Sequence, residues 1–194
     1  MRHDEQQAGD LVRRKLPAVA AAVALLTPLF AACSDNASSG PGSNTAAPPP
    51  SPANATHGPF FPECGGVNDQ TVSQQTRVTG LVNTARNSVG CQWLAGGGIQ
   101  GPHFSFTWYR GSPVGRERKT EELSRASVQD INIEGHNGFI AVGSDPTLGN
   151  SLCEIGMQFQ DDFIEWSISF SQQPFPDPCD IAKELTRQSI ANSK

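Results

Sequence analysis

The residues most able to do chemistry in this 194-residue chain are five cysteines, Cys33, Cys64, Cys91, Cys153 and Cys179. A thiol can ligate a metal, attack a carbonyl, accept an acyl group or form half of a disulfide, and spacing separates these roles. No two of them stand in a CxxC spacing and no histidine sits beside one, so neither a metal nor a cofactor is expected. His57, His103 and His136 are scattered along the chain and read as surface residues rather than a ligand set. The Gly-rich stretch LAGGGIQGPH joins two strands and does not open a helix. It therefore lacks the helix N-terminus that lets such loops hold phosphate, and it reads as a mobile loop. Asp161, Asp162 and Glu165 could in principle pair carboxylates for acid–base work, but a solvated hairpin tip is the simpler account. GxSxG, HExxH, Walker and SxxK motifs are all missing past Cys33, so no catalytic residue is named.

Cys33 differs from the other four in what precedes it. From Leu16 to Ala32 the chain is uncharged and mostly apolar, and Arg13-Arg14-Lys15 stands just before it. A basic cluster, a short apolar core and small residues at a break are the marks of a secretory signal. The run is too short, with Pro17 and Pro28 near its ends, to make a good span, which needs about 20 apolar residues. Asp4, Glu5 and Asp10 are unusual ahead of such a segment and leave two starts open, Met1 and one near Val12. Leu29-Phe30-Ala31-Ala32-Cys33 resembles the lipobox of bacterial lipoproteins, with Phe30 where Leu or Val is commoner. That resemblance implies cleavage before Cys33, a diacylglyceryl group on its thiol and, often, a further acyl chain such as palmitate on its amine. Two or more chains would anchor the protein stably.

Beyond the anchor, residues 33–57 are rich in Ser, Asn, Ala, Gly and Pro and cannot bury enough apolar surface to offset their ordering entropy. They read as a disordered tether, stiffened at Pro48-Pro49-Pro50. Residues 58–194 have the size of a single domain. Past Cys33 the chain carries ten Lys and Arg against sixteen Asp and Glu. An acidic balance argues against nucleic acid and against docking on anionic headgroups, both of which need basic clusters. The expected partner is the membrane, reached through Cys33, on the extracytoplasmic face of the cell envelope.

In an exported domain four remaining cysteines imply two disulfides. Cys91 shares a strand face with Val89 and Trp93, and Cys153 shares one with Ile155, Met157 and Phe159, so both thiols point into the core. Cys64 and Cys179 lie in Pro-marked approaches to helices at the two ends of the domain. Parity therefore predicts Cys91–Cys153 across the sheet and Cys64–Cys179 as a clasp. Loops of that length would contribute roughly 4–5 kcal/mol each.

The elements that position these groups follow from periodicity. Asn68 or Asp69 caps a short helix through about Arg77. Strands are expected at 90–94 and in HFSFTWYR, where Phe104, Phe106 and Trp108 alternate with polar residues. GRERKTEELSRAS is helical by propensity but has only Leu123 as a strong apolar residue, so it should lie largely exposed, with Arg116, Arg118, Lys119, Glu121 and Glu122 solvated. Two hairpins follow, one turning at Gly135-His136-Asn137-Gly138 and one at Gln160-Asp161-Asp162. Asp177 and Pro178 open a last helix with Ile181, Ala182 and Leu185 on one face. Trp93, Trp108 and Trp166 sit at core parity. The class is α+β, a mostly antiparallel sheet packed by N- and C-terminal helices.

HGPFFPECGGV, RVTGLVN, GCQWLAGGG, FTWYRGSP, SLCEIGMQF and PCDIAKELTRQSIANSK together resemble mycobacterial lipoproteins of the LprB and LprC type. These belong to an actinobacterial lipoprotein domain of unknown function whose C-x-W signature is matched by Cys91 and Trp93. The resemblance implies a lipid-anchored envelope protein and supplies no reaction. Other lipoproteins of these envelopes have a PsbP/Mog1-like αβα sandwich, which the resemblance makes a plausible fold. A tethered binding or accessory module for an envelope protein, a lipid or a glycolipid is the expected role; an envelope hydrolase or transferase with an unrecognised site is the alternative.

Overall fold

Cross-strand pairing organises the described residues, 56–96 and 98–194 of a computed structural model, into one seven-stranded sheet. The expected signal segment, Cys33 and the tether up to 55 lie outside the described residues. Helix α1 (Asp69–Thr76) precedes strands β1 (Val82–Asn87), β2 (Gly90–Leu94) and β3 (His103–Tyr109). Helix α2 (Val114–Ser124) leads to β4 (Ser127–Ile133), β5 (His136–Asp145), β6 (Gly149–Phe159) and β7 (Asp162–Ser169), and α3 (Pro178–Asn192) closes the chain. The strand order is β1-β2-β3-β7-β6-β5-β4, antiparallel throughout. The long return from β3 through α2 lets β7 insert between β3 and β6.

Strand alternation puts successive side chains on opposite faces. Cys91 and Trp93, Phe104 and Phe106, Ile155 and Met157, and Ile164, Trp166 and Ile168 form one buried face. Helix α3 covers it with Ile181, Ala182 and Leu185, all buried as their spacing requires. Its start is set by Asp177, whose carboxylate accepts from the amides of Cys179 (2.7 Å) and Asp180 (3.1 Å), with Pro178 in the first turn. Asn68 caps α1 by accepting from Thr71 N at 2.8 Å. The three tryptophans are core, at 0–5% exposure. Trp93 and Trp166 stack at 5.7 Å, and their ring N–H groups donate to Asp69 in α1 (2.7 Å) and Ser189 in α3 (2.9 Å). These two indoles thus find the hydrogen-bond partner their polar edge needs, whereas the buried ring N–H of Trp108 has none among the described residues. Helix α2 packs on the other face, over β5 and β6, so the layers run αβα.

The disulfide pairing differs from the parity expectation. The bridges are Cys64–Cys91 (Cα–Cα 5.2 Å) and Cys153–Cys179 (5.1 Å), not Cys91–Cys153 and Cys64–Cys179. Cys91 and Cys153 do both face the core, but β3 and β7 stand between β2 and β6. Three inter-strand steps of about 4.8 Å separate them by roughly 14 Å, twice what a bridge can reach. Each core thiol instead meets the covering layer directly above it. A 3₁₀ turn at Glu63–Gly66 brings Cys64 over β2, and the first turn of α3 brings Cys179 over β6.

Both hairpin turns are tighter than expected. His136 already pairs with Ile133, so the first turn is Glu134-Gly135, with φ of 51° and 82° as a two-residue turn between twisted strands requires. Asp162 pairs with Phe159, leaving Gln160-Asp161 as the second turn. Strand β1 was not expected at all: its residues are almost all exposed and show no alternation.

Candidate functional site

Two places on the domain concentrate functional groups. The first is a cleft of about 510 Å³ at the end of the sheet where β2 and β7 finish. Three segments line it. Thr76, Arg77, Val78 and Thr79 come from the end of α1, Ala95, Gly96 and Pro102 from the β2–β3 connection, and Phe170, Gln172, Pro174 and Pro176 from the run into α3. Phe170 is locked by rings on two sides: Phe175 stacks on it at 4.9 Å, and Phe104 meets it edge-on at 5.2 Å. Arg77 occupies the helix C-cap in the left-handed region, φ 58°, a position usually given to glycine or asparagine. The Gly-rich connection, expected only to join two strands, does join β2 to β3 and also supplies a wall of the cleft. Its Gly101 cannot be replaced without movement, since a Cβ there would run into the backbone carbonyl oxygens of Ala95 and Gly96. The cleft escaped sequence reading because its walls are contributed by loops distant in the chain.

The second is a carboxylate cluster beneath α2. This helix is largely exposed, as its composition implied, Leu123 included at 90%, but Glu121, expected in solvent, is buried at 6% exposure. The reason is Arg125 at its C-cap. The guanidinium grips both oxygens of Glu154 on β6 (2.6 and 3.0 Å), and its Nε also stands 2.8 Å from Glu121. Ser167 donates to Glu154 at 3.2 Å, and Glu165 lies diagonally beside Glu154 on β7. One Glu165 oxygen is buried with no hydrogen-bond partner among the described residues. Burial first, then the neighbouring Glu154, Glu117 and Glu121 carboxylates, push the Glu165 carboxyl up to about 8. Burial and Glu154 raise Glu121 to about 7, and burial with Glu165 raises the Tyr109 phenol to about 12. The cluster holds protons that ordinary carboxyls would have released at neutral pH.

The acidic hairpin does not form one site. Asp161 is exposed and accepts from Thr56 N at 2.7 Å. Asp162, expected in solvent, is fully buried; it accepts from Gly111 N at 2.8 Å and meets His57 Nδ1 at 2.9 Å. Glu165 points to the opposite face, three residues on. The histidines are as scattered as the sequence implied. His57 bridges to Gln160, so the first described residues already pack on the domain. His103 contacts Gln92 at 2.7 Å, and burial lowers its pKa. The ring of His136 lies 4.3 Å from that of Phe159.

A disulfide-bonded antiparallel α+β domain with a side cleft is the class of protein these observations define. The chain belongs to the family described as protein of unknown function DUF3558, which matches residues 28–192. It is 74% identical over 185 residues to proteins of Mycobacterium bovis and Mycobacterium tuberculosis named "Putative lipoprotein LprB", covering 94% of this chain and 98% of theirs. A Mycobacterium leprae protein of the same name is 72% identical over 170 residues, 88% of this chain and 90% of its own. No solved structure matches.

Proposed function

We propose that this is a membrane-tethered binding module of the cell envelope, held by lipid on Cys33 and presenting the cleft at Arg77 and Phe170 to a small ligand. The cleft is the observation that carries the reading. Its volume lies in the range of ligand sites, and its walls combine aromatic and proline surface with a guanidinium and hydroxyls. These groups bind and orient. An acid–base or nucleophilic reaction would need a titratable group on the wall, and the raised carboxyls of Glu121 and Glu165 lie on the other face of the sheet, under α2. That separation favours binding over the hydrolase or transferase alternative.

The tether is supported by the lipobox-like ending at Cys33 and by relatives named as lipoproteins. Cys33→Ala is expected to move the protein out of the membrane fraction and to remove the acylated N-terminal peptide from mass spectra. Unchanged membrane retention, with no acylated peptide in the unsubstituted protein, contradicts a Cys33 anchor. For the cleft, native mass spectrometry of protein purified from its own envelope should detect a bound small molecule. Thr79→Trp, at an exposed rim position, should displace it. A ligand retained in full by that variant lies elsewhere, and the cleft reading fails.

A further inference from the structure

We infer that the cleft takes an organic anion with an apolar body, a fatty carboxylate or alkyl phosphate, with its charged end on Arg77 and its chain against Phe170, Pro174 and Pro176. This rests on the reading of the cleft as the binding site and adds the chemistry of what enters it.

The argument begins with the state of the arginines. In an acidic domain a guanidinium is normally claimed by a carboxylate, and most here are. Arg86 is held by Asp69 at 2.6 Å, Arg118 by Glu122 at 2.9 Å, Arg125 by Glu154 at 2.6 Å and Arg187 by Glu184 at 3.4 Å. Arg110 reaches Asp162 at 3.8 Å. Arg116 is bonded to the Ser112 hydroxyl at 3.0 Å. Among the described residues, Arg77 has neither a carboxylate within 4.0 Å nor a side-chain hydrogen bond, yet it lines the cleft. Its backbone is in the left-handed region, where a long side chain carries a steric cost that glycine or asparagine would not.

Charge complementarity selects the ligand. Past Cys33 acidic residues outnumber basic ones, so the surface as a whole repels anions and Arg77 is a local exception. A guanidinium presents a planar fork of donors that matches carboxylate and phosphate oxygens. Thr79 on the same rim makes no side-chain hydrogen bond among the described residues and can donate one more. The rest of the lining includes Phe170, Pro102, Pro174 and Pro176, which offer apolar contact, and holds no carboxylate to act as a counter-charge. An anion without a chain leaves that surface wet, and a chain without an anion leaves Arg77 unmatched.

The test uses the full chain carrying Cys33→Ala, so that no acyl anchor competes, and isothermal titration calorimetry at pH 7.5. The probes are decyl phosphate, decanoate, decyl maltoside below its micellar concentration, and inorganic phosphate. Decyl phosphate and decanoate should bind at least tenfold more tightly than decyl maltoside, and inorganic phosphate far more weakly than decyl phosphate. Arg77→Asn, chosen because asparagine tolerates the left-handed backbone, should weaken both amphiphilic anions tenfold or more and leave decyl maltoside unchanged. Arg77→Lys should recover part of the loss, and Arg77→Gly serves if the asparagine variant folds poorly. Equal affinity for charged and neutral probes, or anion binding indifferent to Arg77→Asn, overturns the inference and leaves the cleft reading standing. Inorganic phosphate binding as tightly as decyl phosphate also overturns it, since the site would then read the anion alone. No binding by any probe overturns both.

Discussion

Removing the Cys153–Cys179 bridge by paired Cys→Ala substitution is expected to lower the melting temperature by on the order of 10–15 °C. The two cysteines are 26 residues apart, and closing a loop of that size in the unfolded chain is worth about 3.5 kcal/mol on the entropic model. The bridge also does a specific job: it fastens the first turn of α3, next to the Asp177 cap, to a fully buried position on β6. The Cys64–Cys91 bridge closes a loop of nearly the same length and should contribute similarly. Differential scanning calorimetry of the two paired variants measures both effects. Non-reducing peptide mapping should recover Cys64 linked to Cys91 and Cys153 linked to Cys179. Recovery of a Cys91–Cys153 peptide would contradict the strand order itself, because it would require β2 and β6 to be neighbours.

Glu165→Gln is expected to stabilise the protein at alkaline pH and to flatten its stability profile between pH 5 and 8.5. The sign follows from proton linkage. The Glu165 carboxyl is raised from an ordinary 4.5 to about 8, first by burial and then by Glu154, Glu117 and Glu121. Between those values the native state holds a proton that the unfolded chain has lost. Native stability from this group is therefore greatest at the acidic end and falls as pH rises through about 8. Glutamine keeps the shape, carries no charge and removes that loss. The gain above pH 8 should be up to about 3–4 kcal/mol, with little difference near pH 5. Denaturant unfolding of the two proteins at pH 5, 7 and 8.5 reads the difference directly. Equal slopes would mean that Glu165 is ionised and solvated in the native state, which contradicts its burial under α2.

Helix α2 explains why this cluster was hidden in the sequence. A helix is normally docked by its apolar face, and the one large apolar residue in GRERKTEELS is Leu123. The structure exposes Leu123 and docks the polar side, because Arg125 gives Glu121 and Glu154 a common counter-ion. Nothing in the spacing of Glu121, Arg125, Glu154 and Glu165 announces that partnership. It arises only when the α2 crossover lays its C-terminal turn over β5 and β6, with Glu165 beside Glu154 on the neighbouring β7.

What the chain determines locally could be read from it. Alternation in HFSFTWY and in DFIEWSIS placed Phe104, Phe106, Trp108, Ile164, Trp166 and Ile168 inside, since a strand has only two faces and water sorts them. Asp177 and Pro178 marked the start of α3 because capping is a contact between residues two or three apart. Face parity also held for Cys91 and Cys153. Their partners did not follow from parity, because it says which side a thiol faces and not how many strands lie between two thiols. The insertion of β7 between β3 and β6 decided the bridges, and the same long-range pairing decided the rest. It set β7 and β2 ending together, so that Arg77, Pro102 and Phe170, remote in sequence, enclose one cleft. Local chemistry depends on neighbours along the chain; strand order and the sites it assembles depend on which distant segments bury the most surface together, and only the tertiary structure holds that information.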